Sequence, residues 1–116
     1  MSHRVEPEDL ADTVEPYGST PFLLYSGASG SARVNHVIAS VTPDPATITI
    51  TGFGRGVAQR VAEGAQLSVL WPAPSSEQFS LIADGTGTMV DDDTLTIAVS
   101  GAVLHRPAPI DGQRAC

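Results

Sequence analysis

Short apolar runs alternate with turn-forming residues along this chain, and the runs carry the period of strands rather than of helices. The clearest is Thr47-Ile48-Thr49-Ile50-Thr51, whose strict alternation puts both isoleucines on one face. Leu95, Ile97 and Val99 alternate in the same way with Thr96 and Ala98. The pattern predicts six strands, at Pro21–Ser26, Arg33–Val41, Thr47–Thr51, Leu67–Trp71, Phe79–Met89 and Leu95–Val103. Gly27 and Gly30 with their serines end the first. Pro43 and Pro45, which have no N–H to give to a ladder, end the second. The last two strands read as a hairpin whose connection holds Asp91, Asp92 and Asp93, carboxylates that at a turn serve as caps and solvated groups.

Helical spacing occurs twice. Between the third and fourth strands, Gly56–Glu63 places Val57 and Val61 four apart, and Gly64 follows as a C-terminal stop. Near the start, Pro7 precedes Glu8, Asp9 and Leu10, with proline at a first-turn position and acids near the positive helix end. The expected organisation is an N-terminal arm over residues 1–18, a barrel over 19–109 and a tail over 110–116. The fold class is mainly β: a six-stranded antiparallel barrel with one short interior helix and a short N-terminal helix. Trp71, followed by Pro72 and Pro74, supplies the largest side chain available to plug that barrel or to fill a subunit interface.

Composition narrows the partners. A chain of 116 residues with 41% apolar content forms one domain with a real core. Its net charge of -7 repels nucleic acid and anionic membranes. No apolar stretch approaches the ~18 residues of a membrane helix, and an N-terminus holding Glu6, Glu8, Asp9, Asp12 and Glu15 has the wrong sign for a signal or transit peptide. A soluble cytoplasmic protein is expected. All six cations are arginines, which excludes Schiff-base chemistry and leaves rigid forks suited to phosphate or carboxylate. The lone Cys116 supports neither a disulfide framework nor a thiolate metal site, in keeping with a reducing compartment.

Candidate chemistry gathers at Gly52-Phe53-Gly54-Arg55-Gly56, a glycine-rich turn leading from the third strand into the helix. Backbone amides at a helix start, its positive dipole end and the Arg55 guanidinium suit a phosphate. The same glycines also suit a plain tight turn with Arg55 in water. His3, His36 and His105 are scattered, and no acid, serine or cysteine completes a triad or a metal shell, so no catalytic or metal-ligating residue is assigned. His36, on the face of Val34 and Ile38, reads as a hydrogen-bonded structural histidine. His105 and Arg106 precede Pro107 and Pro109 on a stiffened exit, placed to line a pocket, cap a sheet edge or meet a second chain.

The segment Ile48–Pro72, ITITGFGRGVAQRVAEGAQLSVLWP, resembles the strand-helix-strand segment of the pyridoxamine 5'-phosphate oxidase-like family of split-barrel flavoproteins. Ile50 with Thr51, Gly54 with Arg55, Ala58 with Val61, Gly64 with Ala65, and Trp71 stand where that family has its strand end, basic turn, helix, stop and tryptophan. Arg33 looks like the family's phosphate-touching arginine, Arg106–Pro109 is similar to its terminal Arg-Leu-x-Pro, and Asp84 with Gly85 matches its acid-glycine pair. The second basic residue of the turn falls on Val57 and the ring-contacting glutamine on Ser80.

The resemblance implies a split barrel forming a homodimer, with FMN, or the deazaflavin used by some actinobacterial relatives, across the interface. Arg33, Thr51, Phe53, Gly54, Arg55, Gly56 and Ser80 would bind the cofactor, and His105 and Arg106 would steer a small-molecule substrate. The implied function is a flavin- or deazaflavin-dependent oxidoreductase. The alternative is a non-catalytic dimeric protein holding a flavin or haem for storage or sensing.

Overall fold

A computed structural model describes residues 2–108. Eight antiparallel strands form one curled sheet: β1 (Ser2–Val5), β2 (Phe22–Ser26), β3 (Ala32–His36), β4 (Ile38–Pro43), β5 (Ala46–Thr51), β6 (Gln66–Trp71), β7 (Ser80–Met89) and β8 (Thr94–His105). Helix α1 (Leu10–Val14), flanked by single turns of 3-10 helix, lies against β4, and helix α2 (Arg55–Ala62) lies over β7. The mainly β, antiparallel architecture is the expected one. No helix among the described residues is long and apolar enough to cross a membrane.

The strand count differs from six for two reasons. Val37 interrupts the expected second strand, so Ala32–His36 pairs with β2 while Ile38–Pro43 pairs with β5. The sheet order β3-β2-β6-β7-β8-β5-β4 thus starts and ends on consecutive strands of the chain. The Ala39 N–H also donates to the Ser19 carbonyl at 2.8 Å, tying β4 to the approach to β2. One bent strand therefore returns the sheet on itself, as in a split barrel. The other addition is β1, whose polar Ser2-His3-Arg4 carries no hydrophobic alternation; it pairs with β8 from Ser2↔His105 to Val5↔Ala102.

β8 is the spine. One edge pairs with β7 along its length, and the other takes β5 at Thr94–Ala98 and β1 at Ala102–His105. Between Asp84 and Gly85 the β7 register slips, a bulge that bends the pair. Inward positions form the core: Leu23, Ile48, Ile50, Leu67, Val69, Leu81, Leu95 and Ile97 are all buried. Trp71 is 1% exposed, so it plugs the barrel and is not part of an exposed edge. Leu10, completely buried, anchors the N-terminal segment into the same core.

Helix α2 runs one residue ahead of the expected Gly56–Glu63. It ends as its sequence demands: Gly64 adopts φ +80°, its N–H donates to Val61 and the Ala65 N–H donates to Arg60, closing a Schellman motif. Val57 and Val61 face inward, and Gly87 leaves room for Val61.

Candidate functional site

The turn that precedes α2 leans on the β2–β3 hairpin. Gly52 takes φ +84°, which reverses the chain at the end of β5. Phe53 then tucks against the core, and Gly54 opens the helix with no side-chain cap. In place of a cap, Asn35 of β3 reaches across and its Oδ1 accepts from the Gly54 N–H at 2.7 Å. The Val57 N–H turns back to the Gly54 carbonyl at 3.2 Å. Of the amides at this turn, that of Gly54 is already satisfied, and the N–H groups of Arg55 and Gly56 stand at the positive end of α2.

Three arginines approach this place. Tyr25 and Arg33 are directly opposed across β2 and β3, and a Cβ added at Gly56 would meet the Tyr25 hydroxyl at 3.2 Å. Arg33 lies over Gly27, exposed, with no hydrogen bond or ion pair to another described residue. Arg55 is likewise exposed and without a polar partner among the described residues. Arg60 is committed to structure: its Nε donates to the Ser26 carbonyl at 2.8 Å and its Nη1 pairs with Glu63, stapling α2 to the hairpin.

Beside them a cleft of about 280 Å³ is lined by Leu24, Tyr25, Ser26, Gly30, Ala32, Arg33, Gln66 and Ser68. Arg33 therefore stands on the wall of a cavity, whereas Arg55 lines none of the described ones. Thr51, the last residue of β5, is half-buried between Ile38 and Thr94.

The remaining expected residues sit elsewhere. Ser80 faces His105 where β7 and β8 begin and end, and its hydroxyl accepts the Ala73 N–H at 2.9 Å, which folds back the preceding loop. His105 Nδ1 shares a hydrogen bond with Ser2 Oγ at 3.1 Å. Arg106 stacks 5.0 Å above the Phe79 ring and donates to the Glu77 carbonyl at 3.3 Å. Thr51 pairs with Thr94 and Ser80 with His105, so β8 separates the two groups by up to about 36 Å at about 3.3 Å per residue. A single protomer brings Arg33, Gly54, Arg55 and Gly56 together and leaves Ser80, His105 and Arg106 at the opposite end.

His36 is a structural histidine, at the end of β3 rather than within a long strand. It stacks on Phe22 at 4.6 Å and its Nε2 donates to the Thr20 carbonyl. At the β7–β8 turn the Asp91 carboxylate accepts the Asp93 N–H at 2.8 Å, the capping role expected of it. Pro109, the tail 110–116 and Cys116 lie outside the described residues.

Asn35 and Tyr25 were missed from sequence. Asparagine is depleted in strands, so Asn35 inside the expected strand Arg33–Val41 was the available signal. Compared with known proteins, the chain matches no family model and no curated relative.

Proposed function

We propose that the protein is a homodimeric split barrel that binds a phosphorylated flavin or deazaflavin at the Arg33–α2 site and acts with it as a cytoplasmic oxidoreductase on a small molecule. The observation that carries this reading is a pair of guanidinium groups without a polar partner among the described residues, Arg33 on the wall of a cleft and Arg55 as the first residue of α2 beside its N–H groups, in a chain of net charge -7. Charge-assisted donors of this kind suit a phosphate dianion, and the helix end adds to the attraction. The phosphate end of such a cofactor fits the donors present. When bound, the cofactor supplies hydride transfer.

Assembly of both groups of residues into one site needs a second copy, because the His105–Arg106 end of β8 lies far from the α2 turn of the same chain. A face for that copy exists. Leu70 and Ile82 align across β6 and β7, Phe22 and Val103 continue the row on either side, and Val34 and Ile38 are 58% and 56% exposed on the same outer face.

Quenching of FMN fluorescence tests the site. The wild type quenches FMN on binding, and Arg33→Ala and Arg55→Ala each weaken that binding about tenfold, the loss expected for one charge-assisted contact. Binding unchanged in both variants contradicts the assignment. One observation favours the second reading, storage or sensing without turnover: among the described residues, the side chains against the α2 turn are Tyr25, Asn35 and the arginines, with no acid–base pair. The visible spectrum of the purified protein separates a flavin band from a haem Soret band.

A further inference from the structure

At the far end of β8 from the α2 turn, Pro16, Tyr17, Pro72, Pro74, Gln78 and Phe79 line a cleft of about 360 Å³. Its walls are held before anything binds. The Tyr17 hydroxyl donates to the Phe79 carbonyl at 2.8 Å, and the Ala73 N–H donates to Ser80 Oγ at 2.9 Å, so the loop from Pro72 to Phe79 is pinned at both ends. Between them, the Gln78 N–H donates to the Ser75 carbonyl at 3.2 Å and the Ser75 hydroxyl donates to Gln78 Oε1 at 3.1 Å. Proline rings have no rotamers to freeze, so a ligand entering here loses little to ordering of the walls.

The lining offers a ligand a narrow chemistry. Apart from Gln78 it is made of prolines and aromatic residues, and none of the lining residues carries a charge. Tyr17 has spent its one hydroxyl proton on the Phe79 carbonyl. Gln78 differs, because only its oxygen is engaged: Nε2 keeps both N–H donors, with no partner among the described residues. Arg106 and His3 touch the Phe79 ring but do not line the cleft, and Arg106 is further committed to the Glu77 carbonyl. An ionised ligand would therefore lose water here without gaining a counter-charge. A neutral ligand with an aromatic ring and a carbonyl oxygen meets the groups that are present, ring against ring and oxygen against amide.

We propose that this cleft binds an uncharged aromatic carbonyl compound, with its ring between the prolines and the Tyr17 and Phe79 side chains and its oxygen accepting from Gln78 Nε2. The site stands apart from the α2 turn and does not depend on cofactor binding there.

The test is titration of the full chain, followed by amide NMR, with acetophenone and three relatives: α-methylstyrene, which has a methylene in place of the oxygen, cyclohexyl methyl ketone, which lacks the aromatic ring, and benzoate, which carries a charge. Acetophenone is expected to shift Tyr17, Ala73 and Gln78–Ser80 saturably. For want of one hydrogen bond, α-methylstyrene binds about fivefold more weakly. Cyclohexyl methyl ketone binds about threefold more weakly, and benzoate about tenfold or more. Gln78→Leu removes the preference for acetophenone over α-methylstyrene. Equal affinity for those two in the wild type, a preference that survives Gln78→Leu, benzoate as the tighter ligand, or acetophenone shifts that fail to saturate or are confined to Gly52–Val57, overturn the proposal. The wild-type series decides it even if the variant fails to fold, and FMN shifts at Gly52–Val57 report separately on the α2 site.

Discussion

Gly85 has no room for a side chain. It sits where β7 and β8 slip register, and a Cβ there would lie 2.2 Å from the Ala98 carbonyl oxygen. Backbone on the neighbouring strand cannot step aside, so Gly85→Ala is expected to destabilise by about 1–3 kcal/mol. Gly87 gives the contrast, because its Cβ would meet Leu67 Cδ1 at 2.6 Å, the far end of a side chain that can rotate. Urea denaturation should place the midpoint of Gly87→Ala above that of Gly85→Ala. Equal midpoints contradict the bulge as the cause. At the same scale, Trp71 is a core plug whose Nε1 finds no hydrogen-bond partner among the described residues, so its value to the barrel lies in its size.

Among the elements, α2 depends on a residue from another strand. Asn35 supplies the cap that Gly54 lacks, and Asn35→Ala leaves the Gly54 N–H without its partner. The expected cost is about 0.5–2 kcal/mol, read as a lower thermal midpoint together with faster amide exchange at Gly54–Val57. Faster exchange spread evenly over the barrel, with none local to α2, contradicts a capping role. Most elements were legible in the sequence because period-2 alternation and the Gly64 stop are local signals. Thr47–Thr51 and the α2 terminus emerged within a residue or so of their expected bounds. Two things were not local. The break at Val37 arises because the strand must change partners from β2 to β5, and β1 forms because β8 outlasts β5 and leaves an edge to cover. The candidate site shared this limit: its glycines and Arg55 were visible as a run, whereas Asn35 and Tyr25 enter only through β2–β3 pairing.

For the whole molecule, Arg33 and Arg55 stand toward one end of the β8 spine and His105 and Arg106 at the other, in a chain of net charge -7. The proposed dimer does not use Trp71, which is buried, but the outer row containing Phe22, Leu70, Ile82 and Val103 with Val34 and Ile38 beside it. Sedimentation at micromolar concentration should show a dimer, and Leu70→Asp, which puts a charge in the middle of that row, should give a folded monomer. A wild-type monomer, or a Leu70→Asp dimer of unchanged stability, contradicts that interface. The central claim is that the α2 end grips a phosphate, and the most direct measurement is the affinity for FMN relative to riboflavin, by calorimetry at low and high salt. The account predicts FMN tighter by about tenfold or more at low salt, with the margin shrinking as salt rises and lost in Arg33→Ala. Equal affinity for the two at low salt, or a preference that survives Arg33→Ala, contradicts it.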